Sequence, residues 1–594
     1  MSADRPSCTV QMLHPSANPT SPTSGIQEAI DSLPESGGVV LLPRGTYLVR
    51  RSIRLRSGVT LRGEGVATVL TRPAPVYFEL TAPSPAERFE AGLSTVEGLK
   101  AGDEIWICDA MQAGWHSRHI GIERIECTKV SGALLAGDTK RSYTPEGGGC
   151  GGNFFPMIFI PGGDGATIES LAIDGGPHAY DAGRIADFTC CAIHGVRAEN
   201  LTVRNVTVRR WPGDGIGAQG GSASVTGCLA EDGLSNGFHP GTNLRRSLWA
   251  GNVSRRNGWD GFYFCLGVQH AVVTNNHFID NRRHGIGGLA DPDAYNVIAN
   301  NVIARNGRRG IDAPQCRGNV ISNNVIQDNS QSFPGAFAGI QMEYHSGNTV
   351  TGNVIIDTQK SPTQAVGIEA FSPVGENIIT DNLTPAYPTA ASAPVARGEM
   401  RRAAGDPVID GRLDEAAWRE AESLSVDRRA EDGAPVSAAA KAMFLLDDTY
   451  LYIGVRCDEP LMARLRDVLT GRGVDAWREN AVEIMIDPGT GLARYHHLAV
   501  NSLGGFFETQ YAGVKSSLWD SQARVAAHRG GDFWSIEIAV PLAAFGVAPP
   551  KPGQEWRVNV CRSRLAGMAR ELSSWSTTFG GFTVPRRMGV LTVR

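Results

Sequence analysis

Short apolar stretches recur between residues 205 and 383, each only a few positions long and each alternating with polar residues. Asn319–Ile326 is representative, and this alternation is the pattern of a half-buried strand. A small group, one residue followed by glycine and an apolar residue, returns as Asp214-Gly215-Ile216, Asn236-Gly237-Phe238, Asp260-Gly261-Phe262, His284-Gly285-Ile286, Arg309-Gly310-Ile311, Ala338-Gly339-Ile340 and Val366-Gly367-Ile368. The glycines are 22, 24, 24, 25, 29 and 28 residues apart. A second register runs in phase: Asn205, Cys228, Asn252, Asn276, Asn301, Asn324, Asn353 and Asn382, each followed by Val, Leu or His. Its spacings are 23, 24, 24, 25, 23, 29 and 29. Two registers that keep step over this length define a repeat. The period is too short for ankyrin or tetratricopeptide units, and the leucine-rich L-x-x-L-x-L pattern is absent. It suits one coil of a parallel β-helix, in which equivalent short strands stack ~4.8 Å apart and equivalent side chains form ladders. The Asn register predicts such a ladder inside a turn, with a structural role.

Upstream of the repeat, Ser24-Gly25-Ile26-Gln27 has capping-box spacing, and Ile26, Ala29, Ile30 and Leu33 predict an amphipathic helix that covers the open end of the solenoid. Gly37–Tyr47, Ser52–Leu55 and Gly58–Glu64 follow as strand-like runs. Together these segments resemble the entrance of the pectate-lyase-like right-handed β-helix superfamily. The resemblance covers residues 24–72 and, through the coil pattern, 155–385. Residues 80–150 fit it less well. There Gly102–Ile107 and Glu123–Glu126 read as strands of an insertion, followed by a glycine-rich loop at 147–152.

The period stops after Leu383. Residues 384–404 carry Pro385, Pro388 and Pro394 among Ala and Ser, the composition of a linker. Val408–Trp418, Ala442–Val455, Asn480–Asp487, Trp534–Pro541 and Trp556–Val560 then predict an antiparallel sandwich. In that order they resemble a family 9 carbohydrate-binding module, across nearly all of 405–594. The expected architecture is therefore all-β: a polar leader at 1–23, a right-handed parallel β-helix over 24–383, a linker over 384–404 and an antiparallel β-sandwich over 405–594.

Composition narrows the function. Basic residues number 56 and acidic ones 61, a net charge of −5, which argues against nucleic acid as a partner. Glycine, at 71 of 594 residues, is well above the usual ~7%, in keeping with many tight turns. The 11 cysteines include no Cys-x-x-Cys pair, so they read as buried apolar fillers and not as zinc ligands. No apolar run reaches the ~18 residues of a membrane span, and no membrane partner is expected. Met1–Gly25 does not read as a secretory signal, although polysaccharide chemistry would belong outside the cell or in a periplasm.

In the repeat, the apolar residue after each glycine should point inward. The residue after it should then face outward: Gly217, His239, Tyr263, Gly287, Asp312, Gln341 and Glu369. The residue before each glycine is polar (Asp214, Asn236, Asp260, His284, Arg309), which suggests a bend that turns it to solvent. The two columns bring together Asp260, Asp312, His239, Tyr263, His284, Arg309 and Glu343 as catalytic candidates. Asp214, Asn236, Trp259 and Glu369 are candidate substrate contacts, and His345 extends the set. Glycoside hydrolysis needs two carboxyl groups, and Asp260 with Asp312 or Asp312 with Glu343 could supply them. β-Elimination from a uronic acid needs a base and a group that neutralises the substrate carboxylate, which His239, Tyr263, His284 and Arg309 could provide. His284-Gly285-Ile286-Gly287 only partly echoes the Gly-His-Gly of polygalacturonases, so the fold resemblance leaves the reaction open.

The family 9 resemblance implies that a terminal sugar is gripped between two tryptophans, for which Trp477 and Trp575 are the positional candidates. It also implies room for structural calcium; no cofactor is required, and Asp410 and Asp487 read as turn residues. The expected function is cleavage of glycosidic bonds in a polysaccharide, hydrolysis ahead of elimination, with the second domain holding the chain near the groove. A purely glycan-binding protein and a polymer-level epimerase are the alternatives.

Overall fold

The computed structural model describes all residues except 1–8, 12–19, 88, 109, 113–117, 121, 146–147, 182–186, 344, 372–374, 386–394, 490, 492–493, 513, 517–518 and 567–569. The chain divides into two compact units, one reaching residue 393 apart from the short 112–115 stretch, the other spanning 394–594. No helix among the described residues is long and apolar enough to cross a membrane.

The first unit is a right-handed parallel β-helix, and each coil holds three short strands. Leu248–Ala250, Val272–Thr274, Val297–Ala299, Val320–Ser322 and Thr349–Thr351 stack in parallel with a one-to-one register. Val253–Arg255, His277–Ile279, Val302–Ala304, Val325–Gln327 and Val354–Ile356 form a second such stack. In each triplet the middle residue is buried. One side chain per strand per coil, apolar in all of these strands except at Ser254, therefore fills the solenoid core, Ile298, Ile303, Ile321 and Ile326 among them.

The coils are joined at their corners by amides. Asn276 Nδ2 donates to Asn301 Oδ1 at 2.9 Å, Asn301 to Asn324 at 2.9 Å, and Asn324 to Asn353 at 2.9 Å. The same Oδ1 atoms accept the backbone N–H of the preceding rung. Two further ladders do the same work at the other corners. Asn257, Asn281, Asn306 and Asn329 form one, and Asn296, Asn319, Asn348 and Asn377 the other. The residue ahead of the first ladder's asparagine is left-handed, at Asn275 (φ 56), Asn300 (φ 58) and Asn323 (φ 55). That explains the Asn-Asn pairs: the first tolerates the turn, and the second enters the ladder.

The helix Ile26–Asp31 buries Ile26, Ala29 and Ile30 against the solenoid core. Its N-terminus differs from the expected capping box. Ser24 is left-handed (φ 53) and its hydroxyl donates to Leu48 O, so Thr23 Oγ1 accepts Gln27 N–H and Ser21 Oγ accepts Gly25 N–H instead. Thr9–Gln11, within the expected leader, adds a parallel strand to Gly38–Leu41.

The insertion leaves the solenoid after Thr68–Thr71 and returns before Ile158–Ile160. It holds an antiparallel sheet in the order Glu123–Glu126, Glu104–Cys108, Cys150–Gly152, Tyr77–Glu79. Cys150–Gly152, expected in a loop, is a strand because glycine lets it approach closely: a Cβ on Gly151 would lie 2.3 Å from Trp106 O. At the junction the buried Arg72 donates to Asn153 O at 2.6 Å and stacks on Phe154, Phe155, Tyr180 and Trp211.

In the second unit the antiparallel path runs from Phe506–Ala512 through Tyr495–Asn501, Ala481–Asp487, Glu555–Arg564, Glu571–Ser574, Leu424–Arg429, Pro435–Leu446 and Tyr450–Asp458 to Phe533–Pro541. Residues from the two ends of this path, such as Ile484, Val560, Ile453 and Ile536, share one core, which makes a two-layered sandwich. Arg397–Arg402, within the expected linker, is a strand beside Gly589–Val593. Only Met400 in it is buried, too thin an apolar signal for the sequence to mark it.

Candidate functional site

The strands that open with an inward Ile or Phe define one face of the solenoid. Ile193, Ile216, Phe238, Phe262, Ile286, Ile311 and Ile340 stack rung upon rung in the core. The residues after them form the outward column His194, Gly217, His239, Tyr263, Gly287, Asp312, Gln341, Glu369. Glu343 lies on the same face, two residues past Gln341.

The column ahead of the glycines does not turn to solvent. Asp214, Asn236, Asp260, His284 and Arg309 are all buried. Each of the first four accepts the backbone N–H of the next: Asn236 N–H to Asp214 Oδ1 (3.0 Å), Asp260 N–H to Asn236 Oδ1 (3.1 Å), His284 N–H to Asp260 Oδ1 (2.8 Å) and Arg309 N–H to His284 Nδ1 (3.3 Å). Aromatic rings cover the end of this fourth ladder. Phe337 stacks on the Arg309 guanidinium (4.6 Å) and meets the His284 ring edge-on, and Trp259 lies under Arg283 (4.5 Å). Arginine has no acceptor atom, so the ladder ends at Arg309.

Each ladder residue has a second atom left for other work. Asp214 Oδ2 accepts His239 Nδ1–H at 2.6 Å, and the His239 ring meets Tyr263 edge-on at 5.3 Å. Burial opposes a charged imidazole here, but the Asp214 carboxylate outweighs it and pushes His239 up to about 10. Burial likewise opposes the Asp214 charge, and His239, Ser235 and Asn236 together hold it below the usual carboxylate range. Asp260 is raised by burial against the opposing Arg283, whose Nε is 3.9 Å away, and its carboxylate fills the space left by Gly287. Burial, reinforced by Arg283, Arg309 and Arg308, keeps His284 well below its ordinary value. Because its Nδ1 accepts a hydrogen bond, His284 carries its proton on Nε2, 3.8 Å from Asp312 Oδ2. Burial also raises Tyr263 well above an ordinary phenol.

Asp312 and Glu343 stand at the C-terminal end of this group. Asp312 Oδ1 lies 3.3 Å from Arg309 Nη1, and its side chain is 17% exposed. Glu343 is buried, and burial, opposed by Arg309 and aided by Asp312, pushes it up to about 8. The site thus holds two carboxyl groups one rung apart, one open to solvent and one kept neutral. Trp259 and Glu369 are half-buried at its edges, and His345 is buried with its pKa lowered by burial.

Sequence reasoning missed His194, Arg283, Arg308 and Phe337. His194 follows Ile193 by the same rule that places His239 after Phe238, but Ala192 replaces the marker glycine. Its 23-residue offset from Gly217 was the available signal. Burial, reinforced by Arg124, keeps His194 neutral, down to about 3.

In the second unit Trp477 is half-buried on the turn ahead of Ala481–Asp487, under the Arg478 guanidinium at 4.9 Å. Trp575 is likewise half-buried, packed against the edge of the sandwich core and over Gly589. Among the described residues, one cluster of carboxylates is close enough to hold a cation: Asp410, Glu415 and Glu537. Glu537 is already engaged by the Asp410 and Gly411 N–H groups and by Trp418 Nε1, which pins the opening loop to the sheet.

Comparison with known proteins agrees with this architecture. Residues 191–383 match the family model described as right handed beta helix region. Residues 409–594 match the carbohydrate family 9 binding domain-like model. Residues 18–80 match the rhamnogalacturonase A/epimerase, pectate lyase-like model. No curated protein matches. Among solved structures, the A-module of the mannuronan C-5 epimerase AlgE4 from Azotobacter vinelandii is similar at 16% identity and a TM-score of 0.37, over 64% of this chain and 97% of that one. A family 9 carbohydrate binding module from Caldicellulosiruptor kristjanssonii, in complex with cellotriose, is similar at 19% identity and a TM-score of 0.25, over 33% of this chain and 93% of that one. Tailspike protein 2 of Escherichia coli O157:H7 bacteriophage CAB120 is similar at 11% identity and a TM-score of 0.40, over 97% of this chain and 69% of that one. The chain thus joins a right-handed β-helix with a pectate-lyase-like opening to a domain similar to the family 9 carbohydrate-binding domains.

Proposed function

We propose that the β-helix hydrolyses glycosidic bonds of a polysaccharide, with Glu343 as general acid and Asp312 as the general base or nucleophile. The observation that carries this reading is the unequal pair of carboxyl groups. Glu343 is buried and pushed up to about 8, so it keeps a proton to give to a leaving oxygen at neutral pH. Asp312 is reachable from solvent and sits against Arg309, the setting for a carboxylate that activates water or attacks the sugar. Elimination or epimerisation would instead need a neutral base. His239 is pushed up to about 10 by Asp214, and Tyr263 is raised well above an ordinary phenol, so neither is free to accept a proton near pH 7, and the neutral His284 already has its Nδ1 engaged by the Arg309 N–H. The second unit, in this reading, holds the same polymer and raises its concentration at the groove, with Trp477 as a sugar-facing platform.

The test is a polysaccharide panel read for released reducing ends and for the ultraviolet absorbance of unsaturated products, with Glu343→Gln and Asp312→Asn beside wild type. Reducing ends without absorbance, lost in both variants, are expected. Absorbance that rises with the reducing ends would replace hydrolysis by elimination. Binding of a glycan with no cleavage anywhere in the panel would make the protein a recognition module.

A further inference from the structure

Cys108 and Cys150 stand directly opposite each other on the antiparallel strands Glu104–Cys108 and Cys150–Gly152. Both side chains are buried beside Trp106, Phe154 and Cys190, and their sulfurs are 3.5 Å apart. Directly opposed residues in an antiparallel pair have Cα atoms about 4.5 or 5.5 Å apart, according to their hydrogen-bond class. A disulfide accepts Cα separations of about 4.4–6.8 Å, so either class can be bridged without moving the backbone. The neighbouring glycine enforces this closeness. A side chain on Gly151 would strike Trp106 O at 2.3 Å and the Phe78 ring at 2.5 Å, and only the bare backbone lets the two strands approach so tightly.

We propose that Cys108 and Cys150 are a modification site, joined by a cross-strand disulfide when the protein meets a disulfide oxidant. One thiolate attacks the oxidant's S–S bond and expels a thiolate, which takes up the proton the cysteine lost. The second cysteine thiolate then attacks the mixed disulfide and expels the other thiolate, which takes up the second proton. Two cysteine thiols are oxidised to one disulfide, and one oxidant disulfide is reduced to two thiols.

The bond would tie the strand that leads into residues 109–149 to the strand that leads out. Cys150 lies three residues ahead of Asn153, which anchors Arg72 at the return to the solenoid. The cross-link therefore closes the 109–149 segment at its base, close to the point where the insertion rejoins the coils.

The full-length protein, reduced, treated with oxidised glutathione, or refolded in its presence, would be denatured, alkylated and mapped by peptide mass spectrometry. The refolded arm removes slow access to buried thiols as an explanation for failure. The expected result is a peptide pair linking Cys108 to Cys150, two fewer alkylated cysteines than in the reduced sample, and loss of the link on reduction. The oxidised protein should unfold at a higher temperature than the reduced one. That difference should vanish in Cys150→Ser and persist in Cys190→Ser. Full alkylation of Cys108 and Cys150 after refolding in oxidised glutathione, or a link from Cys150 to Cys190, would overturn the proposal.

Discussion

His239 Nδ1 lies 2.6 Å from Asp214 Oδ2, and both groups are buried. The pair works like a charged strut under the outward column, because Asp214 also holds Asn236 and Ser235 through its other oxygen. His239 rises from 6.5 to about 10 on folding, so its contribution to stability is complete below about pH 6.5 and is lost as pH climbs toward 10. Asp214 is lowered, so its contribution is present above the ordinary carboxylate range and is lost in acid. Asp214→Asn should lower stability by roughly 3–5 kcal/mol near pH 6, since it leaves a buried imidazole without its counter-ion. Chemical unfolding of wild type and variant from pH 6 to 10 should show that gap narrowing on the alkaline side; a gap independent of pH would mean that His239 is neutral in the fold.

Glu343 offers a second pH signature, opposite in kind. A general acid must be protonated, so activity should fall as pH rises through about 8. Glu343→Gln should cost about 10²–10⁴-fold in rate. The same substitution removes a buried group that must either ionise unfavourably or take up a proton between pH 4.5 and 8. The variant should therefore be the more stable protein above neutrality, by thermal melts at pH 8–9. Loss of activity together with loss of stability there would assign Glu343 a structural role.

The asparagine ladder sets a third expectation. Asn301 donates to Asn324 Oδ1 and Val273 O and accepts from both the backbone and the side chain of Asn276. Asn301→Ala orphans several buried groups at once, and about 2–4 kcal/mol should be lost, given 1–3 kcal/mol for one unsatisfied group. Hydrogen exchange should quicken at Asn276 and Asn324 on the flanking coils; a change confined to residue 301 would deny that the rungs are coupled.

The two candidate tryptophans of the second unit should separate cleanly. Trp575→Ala strips the packing over Gly589 and the edge of the core and should cost roughly 1–3 kcal/mol. Trp477→Ala should leave the melting temperature within a degree or two and weaken retention on a polysaccharide affinity gel. Unchanged retention would move the sugar contact elsewhere on the sandwich.

The solenoid was legible in the sequence because a repeating backbone imposes repeating side chains. The apolar residue after each glycine and the Asn at one corner must recur every coil, and both registers did. The outward column from His239 to Glu369 follows from strand parity alone. Burial of Asp214, Asp260 and His284 was not legible, since it depends on neighbours such as His239 on Asp214 and Phe337 on His284, whose side chains fold over the column. Parity says which way a side chain points and nothing about what is laid on top of it. The two other asparagine ladders escaped notice for a different reason: their spacing is the same, but Arg256, Asp280, Arg305 and Asp328 hold the left-handed position ahead of one of them, so no Asn-Asn doublet flags the turn.

The ladders also bear on how such a chain changes length over time. At the three asparagine corners each internal rung presents an amide donor to one neighbour and an amide acceptor to the other, so a coil inserted or deleted whole leaves each surviving corner contact with an identical partner. The solenoid is modular in steps of one coil, about 4.8 Å of groove at a time. A lineage could fit the span of its binding face to longer or shorter segments of polymer by copying a single rung, without redesigning the corners that hold the rest together.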